Sequence, residues 1–569
     1  MFVVKKKIGN NEYYYLRKSI REDGKVKAKT IAYLGKTLKD AERKKKEIIK
    51  KMSVKTNTMV VNSVERDEKI EELNGKETKI TIEELASFCK RKGFVYPSGD
   101  IYGGFAGFWD FGHLGVELKN NIKKDWWNYH VYGRDDVVGI DGSIITNPRV
   151  WEASGHIEGF SDVFVVCKKC KKAGKIDGNE IEKAEKGEIR CDFCGGEYDV
   201  KSAKEFKLMF KTDVGTKDAG YLRPETAQLI FTNFKAVHEN ARMQLPFGIA
   251  QIGKAFRNEI APRDFLFRMR EFEQMEIEYF ADPSEKCKYL IGDSEILVLS
   301  DEMQEGNIEA ENMKFKDAFK KGIIKTDWHA YWLEQEFLWF VGLGANRNKF
   351  RIRQHEKDEK SHYAVDTWDL EYNFPFGWKE LQGMANRGDF DLKQHEKFSG
   401  KSMEITKTDG MKIIPSVICE PSQGLERAML VFLFNAYTYD KERDNIILKL
   451  SGKLAPVKCA IFPIVKKPEF EELALKIYGD LKKEFNVVYD KSGSVGRRYA
   501  RQDEIGTPYC IVIDGDSLKK KDATIRDRDT GKQVRIKIKD LKNAISAGLD
   551  GENIFEFGKI VDTRKEKSK

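Results

Sequence analysis

Two neighbouring segments, Phe256–Glu259 and Arg268–Glu276, constrain the fold of this chain more than any other feature of its sequence. Both have the residue pattern of strands, and the segment between them, around Ala261–Asp264, is typical of a loop. Side chains alternate between the two faces of a strand, so Arg257 and Glu259 share one face of the first segment. On the second segment the shared face holds Arg270, Phe272, Gln274 and Glu276. The pattern predicts an antiparallel pair of strands.

Such a pair presents arginines, an aromatic ring and acids to one ligand. Arginine binds a triphosphate through its planar, charged fork, and Phe272 can stack on a base. The alternative is a charged surface hairpin, which a single Arg-x-Glu would favour. The complete set favours a nucleotide site.

A second signal lies at Glu420–Arg427, which runs into the apolar segment Ala428–Leu433. The sequence predicts a strand ending at Val417–Glu420, a close backbone approach at Gly424, and then a helix. Cations are disfavoured near a helix N-terminus, so Arg427 in the first turn indicates an anionic ligand. Pairing of this arginine with Glu426 or with another acid is the alternative.

These segments resemble the class II aminoacyl-tRNA synthetases, specifically the glycyl enzymes of the dimeric type found in archaea and eukaryotes, over about residues 80–560. Asp141–Val150, with Pro148, is similar to motif 1, a dimer-interface element. Phe256–Glu259 with Phe267–Phe272 is similar to motif 2, and Gly424–Arg427 to motif 3. The segments similar to glycyl-specific signatures are Trp151–His156, Arg223–Gln228, Glu380–Gly383 and Glu420–Ser422.

The resemblance implies an α+β fold: a class II antiparallel sheet with flanking helices and a C-terminal α/β anticodon-binding domain. The small basic N-terminal appendage, expected at 1–55, departs from the family. There the sequence itself predicts strands at Val3–Ile8, Glu12–Ser19 and Lys25–Leu34, with a turn at Glu22–Gly24 between the last two, and a helix at 38–52. The catalytic domain is expected at 80–455, with a zinc-knuckle insert at 165–200 and a helical insert at about 282–345. The anticodon-binding domain is expected at 456–569. From Lys458 onward the sequence predicts alternating strands and helices: Lys458–Ile464, Phe470–Phe485 (helix), Val487–Tyr489, Val495–Ile505 (helix) and Tyr509–Ile513.

The resemblance also implies the roles of individual residues. The expected catalytic residues are Arg257, Glu259 and Arg427. The expected ATP site comprises Arg257, Asn258, Glu259, Phe267, Arg268, Met269, Arg270, Glu271, Phe272, Glu380, Leu381, Gly424, Leu425, Glu426 and Arg427. The expected glycine site comprises Glu225, Phe272, Glu273, Gln274, Met275, Glu276, Glu420, Pro421, Ser422, Gln423 and Gly424. The expected tRNA contacts of the C-terminal domain are Arg497, Arg498, Tyr499 and Arg501.

The implied reaction joins glycine to ATP, normally with Mg²⁺, and transfers the glycyl group to the 3′ end of tRNA(Gly). Glycine offers only an ammonium, a carboxylate and two α-hydrogens, so carboxylates around the ammonium are the available contacts. Larger amino acids must be excluded sterically. A synthetase for proline, threonine or histidine is one alternative. A non-catalytic, nucleic-acid-binding relative is another.

Four of the nine cysteines form two C-x-x-C pairs, Cys167/Cys170 and Cys191/Cys194. Their spacing is that of a structural Cys₄ zinc site, and a metal-free thiol loop is the alternative. Just beyond the first pair, the family has a substrate-contacting arginine where this chain has Lys171–Lys175. A lysine does not reproduce the arginine fork.

The N-terminal segment contains most of the positive charge of this 569-residue chain. Residues 1–50 have a net charge of +10, and the remainder is close to neutral. This segment favours a polyanion, and added affinity for tRNA is the preferred interpretation over a solubilising arm. The sequence shows neither a signal peptide nor a run of about 18 apolar residues, and its scattered cysteines suit a reducing compartment, so we expect a cytoplasmic protein.

Overall fold

The computed structural model describes residues 2–8, 11–22, 25–35, Lys44, 80–176, 180–191, 193–216, 218–357, 359, 364 and 366–561. The chain forms two compact units, Met1–Glu77 and Thr78–Lys569. Among the described residues, none of the helices combines the length and apolar character needed to cross a membrane.

The first unit contains one antiparallel sheet of β1 (Phe2–Ile8), β2 (Asn11–Glu22) and β3 (Lys25–Gly35), paired in that order. These strands coincide with the three segments for which the sequence predicts strands. The predicted Asp23–Gly24 turn lies outside the described residues. So does the predicted helix at 38–52, apart from Lys44, which is helical.

The second unit is built around one large sheet and several small ones. Its strands up to residue 448 are β4 (Val95–Pro97), β5 (Trp109–Phe111), β6 (Val137–Gly139), β7 (Ile145–Thr146), β8 (Ser161–Cys167), β9 (Ala173–Ile176), β10 (Tyr198–Lys207), β11 (Lys211–Val214), β12 (Asp218–Leu222), β13 (Phe247–Phe256), β14 (Glu271–Ala281), β15 (Glu295–Leu299), β16 (Glu311–Lys314), β17 (Phe350–Gln354), β18 (Asp366–Phe374), β19 (Gly377–Asn386), β20 (Ile405–Thr406), β21 (Lys412–Ile413), β22 (Ser416–Gly424), β23 (Tyr437–Asp440) and β24 (Asn445–Leu448).

The helices of the same region cover the sheet. They are α1 (Ile82–Lys92), α2 (His113–Trp127), α3 (Pro148–Ala153), α4 (His156–Gly159), α5 (Ile181–Glu185), α6 (Ala227–Ala241), α7 (Asp301–Glu305), α8 (Phe315–Lys320), α9 (Asp327–Gly342), α10 (Phe390–Ser399) and α11 (Leu425–Ala436).

The large sheet has nine strands in the order β16-β15-β17-β18-β19-β22-β14-β13-β6. All neighbours are antiparallel except the pairs β6/β13 and β15/β17. Helices α9 and α11 are buried along most of their length, and both contribute to the main hydrophobic core. The predicted antiparallel sheet with flanking helices is therefore confirmed.

Local sequence signals mark several helix ends. Thr81 and Glu84 form a reciprocal capping box at the start of α1, and Gly93 ends the helix in the left-handed conformation. The predicted helical insert at 282–345 is only partly helical. Its strands β15 and β16 extend the edge of the large sheet, because alternating apolar residues such as Ile296 and Val298 are buried there.

The C-terminal part is an α/β layer. Its strands are β25 (Cys459–Pro463), β26 (Val487–Tyr489), β27 (Tyr509–Ile513), β28 (Asp522–Asp527), β29 (Gln533–Lys537) and β30 (Lys559–Val561). Its helices are α12 (Pro468–Leu481), α13 (Val495–Ile505), α14 (Gly515–Lys520) and α15 (Leu541–Leu549). The strands form a six-stranded sheet around a separate apolar core, and the alternating elements predicted from Lys458 onward are present.

Candidate active site

Carboxylates from adjacent strands of the large sheet converge on one buried pocket. Glu276 of β14 is in register with Ser422 of β22, and oxygen atoms of Glu276, Glu278 and Glu420 lie within 4.8 Å of one another. Glu225 lies close enough to raise the pKa of both Glu276 and Glu420. Three of the acids predicted to bind glycine, Glu225, Glu276 and Glu420, therefore lie in one buried group, which is called the pocket below.

Hydrogen bonds fix the walls of this pocket. Thr226, which precedes α6, donates its hydroxyl to Glu276 and its backbone N–H to Gln274 Oε1 at 3.1 Å. Gln274 in turn donates to the Ser422 hydroxyl at 3.3 Å. The side chains are held before any ligand arrives, which is the arrangement that a small, specific pocket requires.

Arg387 neutralises much of this acidic wall. Its guanidinium donates to both oxygens of Asp391, at 2.7 and 2.8 Å, and to both oxygens of Glu420, at 3.0 and 3.2 Å. All three residues are at least nine-tenths buried. The predictions from sequence missed Arg387 and Glu278. Arg387 lies 33 residues before Glu420 and outside every recognised segment. Glu278 lies two residues after Glu276, so strand alternation could have placed it on the same face.

Burial and mutual repulsion decide the charge of the pocket. Burial raises the pKa of Glu420 to about 8; Arg387 opposes this rise, and Glu276 and Glu225 add to it. Burial also raises the pKa of Glu278 well above its usual range, and neither of its oxygens has a hydrogen-bond partner. The pocket therefore favours a cation, because a bound positive charge relieves the repulsion between its acids.

Glu225 is the exception among these acids. Burial alone would raise its pKa, but His156, Arg387 and Arg257 together lower it below its usual value. Its Oε1 accepts from Gln228 at 3.1 Å, and its Oε2 lies 3.3 Å from His156 Nε2. An ionised carboxylate is therefore available at the edge of the pocket.

Two guanidinium groups lie beside the acids. Arg257 follows the end of β13, donates Nε to the Pro224 carbonyl at 3.0 Å, and lies 5.5 Å from the ring centre of Phe272. Arg427, near the start of α11, lies 3.1 Å from Glu380. Arg427 and, to a lesser degree, Arg257 lower the pKa of Glu380.

The predicted pairing of Arg427 with an acid therefore exists, and its partner is Glu380. Arg427 also lies over the Phe267 ring, with its guanidinium carbon 4.6 Å from the ring centre. The predicted strands around this site are shorter or shifted. Strand β13 ends at Phe256 and β14 begins at Glu271, so Arg257–Glu259 and Arg268–Arg270 lie in the connection between them.

Several residues predicted to bind glycine lie on the opposite face of the sheet. Glu273 forms ion pairs with Lys119 and Lys123 of α2, at 2.9 and 3.0 Å, and Met275 belongs to the main core. Strand alternation is the reason, because neighbours of Gln274 and Glu276 must point away from the pocket. Pro421 and Gln423 alternate with Glu420 and Ser422 in the same way.

Some residues predicted to bind ATP are also engaged elsewhere. The side chains of Met269, Leu381 and Leu425 are buried in the main core. Glu426 accepts from Lys119 Nζ at 2.8 Å and from the backbone N–H of Glu273 at 3.0 Å. Arg270 donates to the carbonyl oxygens of Glu259 and Ala106, so its guanidinium holds the two ends of the β13–β14 connection together. Glu271 pairs with Lys254. In this structure these side chains contact other protein groups.

The remaining predicted residues lie at the connection between β13 and β14 or next to it. Asn258 donates its backbone N–H to the Leu208 carbonyl at 2.7 Å, and Glu259 and Arg268 are partly exposed. The ring of Phe267 packs edge-on against Phe374 and Phe376. Gly424 is the last residue of β22 and precedes α11.

The four predicted metal-ligating cysteines meet in the insert formed by β8, β9 and β10. Cys167 Sγ lies 3.5 Å from Cys194 Sγ, and Cys170 Sγ lies 3.7 Å from Cys191 Sγ. All four sulfur atoms fall within 4.8 Å of one another. A tetrahedron of Zn–S bonds of about 2.3 Å needs sulfur atoms about 3.8 Å apart, so this donor set fits zinc. Lys175, nearby on β9, forms an ion pair with Asp162 at 2.9 Å.

The residues predicted to contact tRNA lie on α13. Arg497 and Arg501 are exposed, and Tyr499 packs against Phe462 with ring centres 5.8 Å apart. Arg498 is buried and donates to the carbonyl oxygens of Pro463 and Asp490, at 2.7 and 3.2 Å. The helix turns Arg498 inward, so its guanidinium holds the domain together and does not face solvent.

Comparison with known proteins is consistent with this architecture. Residues 458–547 match the anticodon binding domain family, and residues 3–63 match the N-terminal domain of IS1634 family transposases. The chain is 43% identical to a glycine–tRNA ligase of Caldanaerobacter subterraneus subsp. tengcongensis, over 81% of this chain and 96% of the relative. It is 42% identical to glycine–tRNA ligases of Borrelia hermsii, over 81% and 96%, and of Treponema denticola, over 80% and 95%.

The antiparallel sheet, the two arginines beside an acidic pocket and the anticodon binding domain define a class II aminoacyl-tRNA synthetase. The relatives are covered almost completely and at more than two-fifths identity. The chain belongs to the glycine–tRNA ligase family.

Proposed function

We propose that this chain activates glycine with ATP and transfers the glycyl group to the 3′ end of tRNA(Gly). The observation that carries the proposal is the buried group of acids Glu225, Glu276 and Glu420, with Arg257 acting on Glu225. Acids around an ammonium group suit a substrate that has no side chain to recognise, and a larger amino acid would have to be excluded sterically.

In the proposed first step, the glycine carboxylate attacks the α-phosphorus of ATP and pyrophosphate leaves. Arg257 binds the α-phosphate and the carboxylate as they react, and Glu225, Glu276 and Glu420 hold the ammonium. Glu259 reads the adenine edge, Phe272 stacks on the ring, and Arg427 binds the opposite face and the γ-phosphate. The protein supplies orientation and charge stabilisation, so no protein nucleophile is needed.

Magnesium bound to the triphosphate would neutralise part of its charge. Glu380, which pairs with Arg427 at 3.1 Å, is the carboxylate proposed to line the ATP site. In the second step the 3′-terminal hydroxyl of tRNA attacks the adenylate carbonyl, and AMP leaves.

Glycine-dependent exchange of pyrophosphate into ATP tests the proposal. The purified chain should give exchange with glycine, background rates with proline, threonine and histidine, and a rate with alanine at least about tenfold lower. Exchange that depends on another of these amino acids would assign the chain to a different specificity, and no exchange with any of them would indicate a non-catalytic relative.

We infer that Cys167, Cys170, Cys191 and Cys194 hold a structural zinc ion, because four thiolates leave no open coordination position. Purified protein should contain one zinc per chain by metal analysis. Replacing Cys191 and Cys194 together with serine should remove the metal and make the insert at 165–200 more sensitive to protease. A zinc content far below one per chain, in protein never exposed to chelator, contradicts this inference.

We further infer a homodimer of the archaeal and eukaryotic type that the resemblance implies. Ile101, Tyr102 and Phe105 are each more than four-fifths exposed, and Ile145, in the segment similar to motif 1, is half-exposed. Exposed apolar side chains in such density are typical of an interface.

We also propose a cytoplasmic location, because the proposed reaction supplies aminoacyl-tRNA for protein synthesis.

Residues 1–55 are proposed to add affinity for tRNA, because their charge complements a polyanion. Deleting them should weaken tRNA(Gly) binding, most strongly at low salt, and should flatten the dependence of log Kd on log salt concentration. Pyrophosphate exchange serves as the control, since it needs no tRNA and should not change. Unchanged affinity at low salt would favour the solubilising-arm interpretation.

In the C-terminal domain, Arg497, Tyr499 and Arg501 remain the proposed tRNA contacts.

A further inference from the structure

His156, within the segment Trp151–His156, makes a contact that the proposed mechanism does not use. It is the first residue of α4, and Gly155 before it adopts the left-handed conformation at φ 80°. The imidazole Nδ1 lies 2.8 Å from the Ser154 hydroxyl oxygen, and Nε2 lies 3.3 Å from Glu225 Oε2. Both ring nitrogens are therefore engaged, one of them by a wall of the pocket.

Aromatic packing holds the imidazole in this place. Its ring centre lies 5.3 Å from that of Trp151 and 5.3 Å from that of Phe160. The side chains of His156 and Glu225 are only 12% and 14% exposed. A ring held between two others in a mostly buried site has little freedom to turn, so the direction of its N–H groups is fixed.

The hydrogen bonds of the imidazole determine whether Nε2, the nitrogen that faces Glu225, carries a proton. The Ser154 hydroxyl lies close to both His156 Nδ1 and the Trp151 carbonyl, which is 3.3 Å away. If the hydroxyl donates to Nδ1, the neutral ring carries its proton on Nε2. The other neutral tautomer, with its proton on Nδ1, would turn the Nε2 lone pair toward the oxygens of a carboxylate, which is repulsive. The short distance between Nε2 and Glu225 Oε2 therefore favours the tautomer that directs an Nε2–H group at the Glu225 carboxylate.

We propose that His156 is a positioning residue for glycine recognition, which fixes the Glu225 carboxylate in the orientation that receives the substrate ammonium. This inference rests on the proposed function. Glu225 Oε1 is held by Gln228 and Oε2 by His156, so both oxygens are oriented. Without the Nε2–H donor, Glu225 stands beside Glu276 and Glu420 with one oxygen unsupported.

The same segment also supports the other end of the substrate. Phe160, which packs on His156, lies under the Arg257 guanidinium with 5.7 Å between the guanidinium carbon and the ring centre. The segment at 151–160 thus supports Glu225 at the ammonium end of glycine and Arg257 at the carboxylate end. The His156 imidazole, however, contacts Glu225 and not Arg257, so loss of the imidazole should affect glycine more than ATP.

Steady-state pyrophosphate exchange of His156→Leu and His156→Gln tests the proposal. His156→Leu removes the donor, and its KM for glycine should rise about 10- to 100-fold, because a hydrogen bond to a charged group is lost. Its kcat and its KM for ATP should stay within about threefold of the original values. His156→Gln keeps an N–H donor at a similar distance along the side chain and should restore most of the glycine affinity.

His130→Leu is the matched control. His130 is also a buried histidine beside an acid, with Nε2 2.8 Å from Glu336 and Nδ1 3.0 Å from the Trp126 carbonyl, but it lies outside the pocket. Its replacement should lower thermal stability and leave the KM for glycine unchanged.

Three outcomes would overturn the role of His156: an unchanged KM for glycine in His156→Leu, equal increases in the KM values for glycine and ATP, or equal losses in the Leu and Gln variants. If the unaltered chain shows no glycine-dependent exchange, the proposed function itself fails. If the unaltered chain is active and the variants match it, only this inference fails.

Discussion

Replacing Arg257 with alanine is expected to lower the rate of glycine-dependent pyrophosphate exchange about 100- to 1,000-fold, with the protein still folded. The Arg257 guanidinium lies within 6 Å of the ring centres of Phe160 and Phe272, and its Nε donates to the Pro224 carbonyl. In the proposed mechanism a guanidinium held in this way stabilises charge that develops at the α-phosphate, and it needs no rearrangement when the transition state forms.

Two further variants make this test specific. Arg257→Lys keeps the positive charge but not the planar fork, so it should recover only part of the rate. Arg190→Ala removes a half-exposed arginine that pairs with Glu197 in the Cys₄ insert, at 3.2 Å, and should exchange pyrophosphate at the original rate. An Arg257→Ala rate within a few-fold of the original would remove Arg257 from the mechanism.

Replacing Arg387 with methionine is expected to destabilise the folded protein by about 3–5 kcal/mol. The substitution leaves Glu420 and Asp391 without the guanidinium that donates to all four of their oxygens. Asp391 is only 2% exposed, so water cannot replace the lost partner. The urea concentration at the unfolding midpoint, followed by tryptophan fluorescence, should fall clearly.

An exposed ion pair at the start of α10, the helix that contains Asp391, provides the control. Lys393 pairs with Asp389 at 2.6 Å, and both side chains are more than a third exposed. Lys393→Met should change the free energy of unfolding by less than about 1 kcal/mol, because surface pairs contribute little. If Arg387→Met unfolds at the same urea concentration as Lys393→Met, the buried pair does not hold the pocket together.

Much of the fold could be predicted because its signals are local. Period-two alternation predicts the strands, and helices such as Val495–Ile505 follow from helical spacing between turn residues. The four cysteines could be assigned to one site because C-x-x-C spacing itself fixes the geometry of each pair. The ends of elements were less predictable: the sequence predicts a strand over Phe256–Glu259, but β13 ends at Phe256.

The sequence predicted that Glu225, Glu276 and Glu420 come together, but not which face of a strand each neighbouring residue occupies. A run of neighbours such as Phe272–Glu276 was assigned to the pocket as a whole, yet alternation sends Glu273 and Met275 to the opposite face. Arg498 belonged to a basic run on α13, and only the packing of that helix turns it inward. A sequence motif identifies a segment, while the face that each residue occupies depends on the layer packed behind it.

The sequence alone determined the two arginines proposed to bind ATP, the clustered acids, the paired cysteines and the basic N-terminal segment, because each of these residues stands in a pattern within a short stretch. Only the tertiary structure decided that Arg387 joins Glu420 to Asp391, that Arg427 meets Glu380, and that His156 reaches Glu225. These contacts link residues on different elements, and their distances follow from strand register and helix packing, which no local pattern encodes.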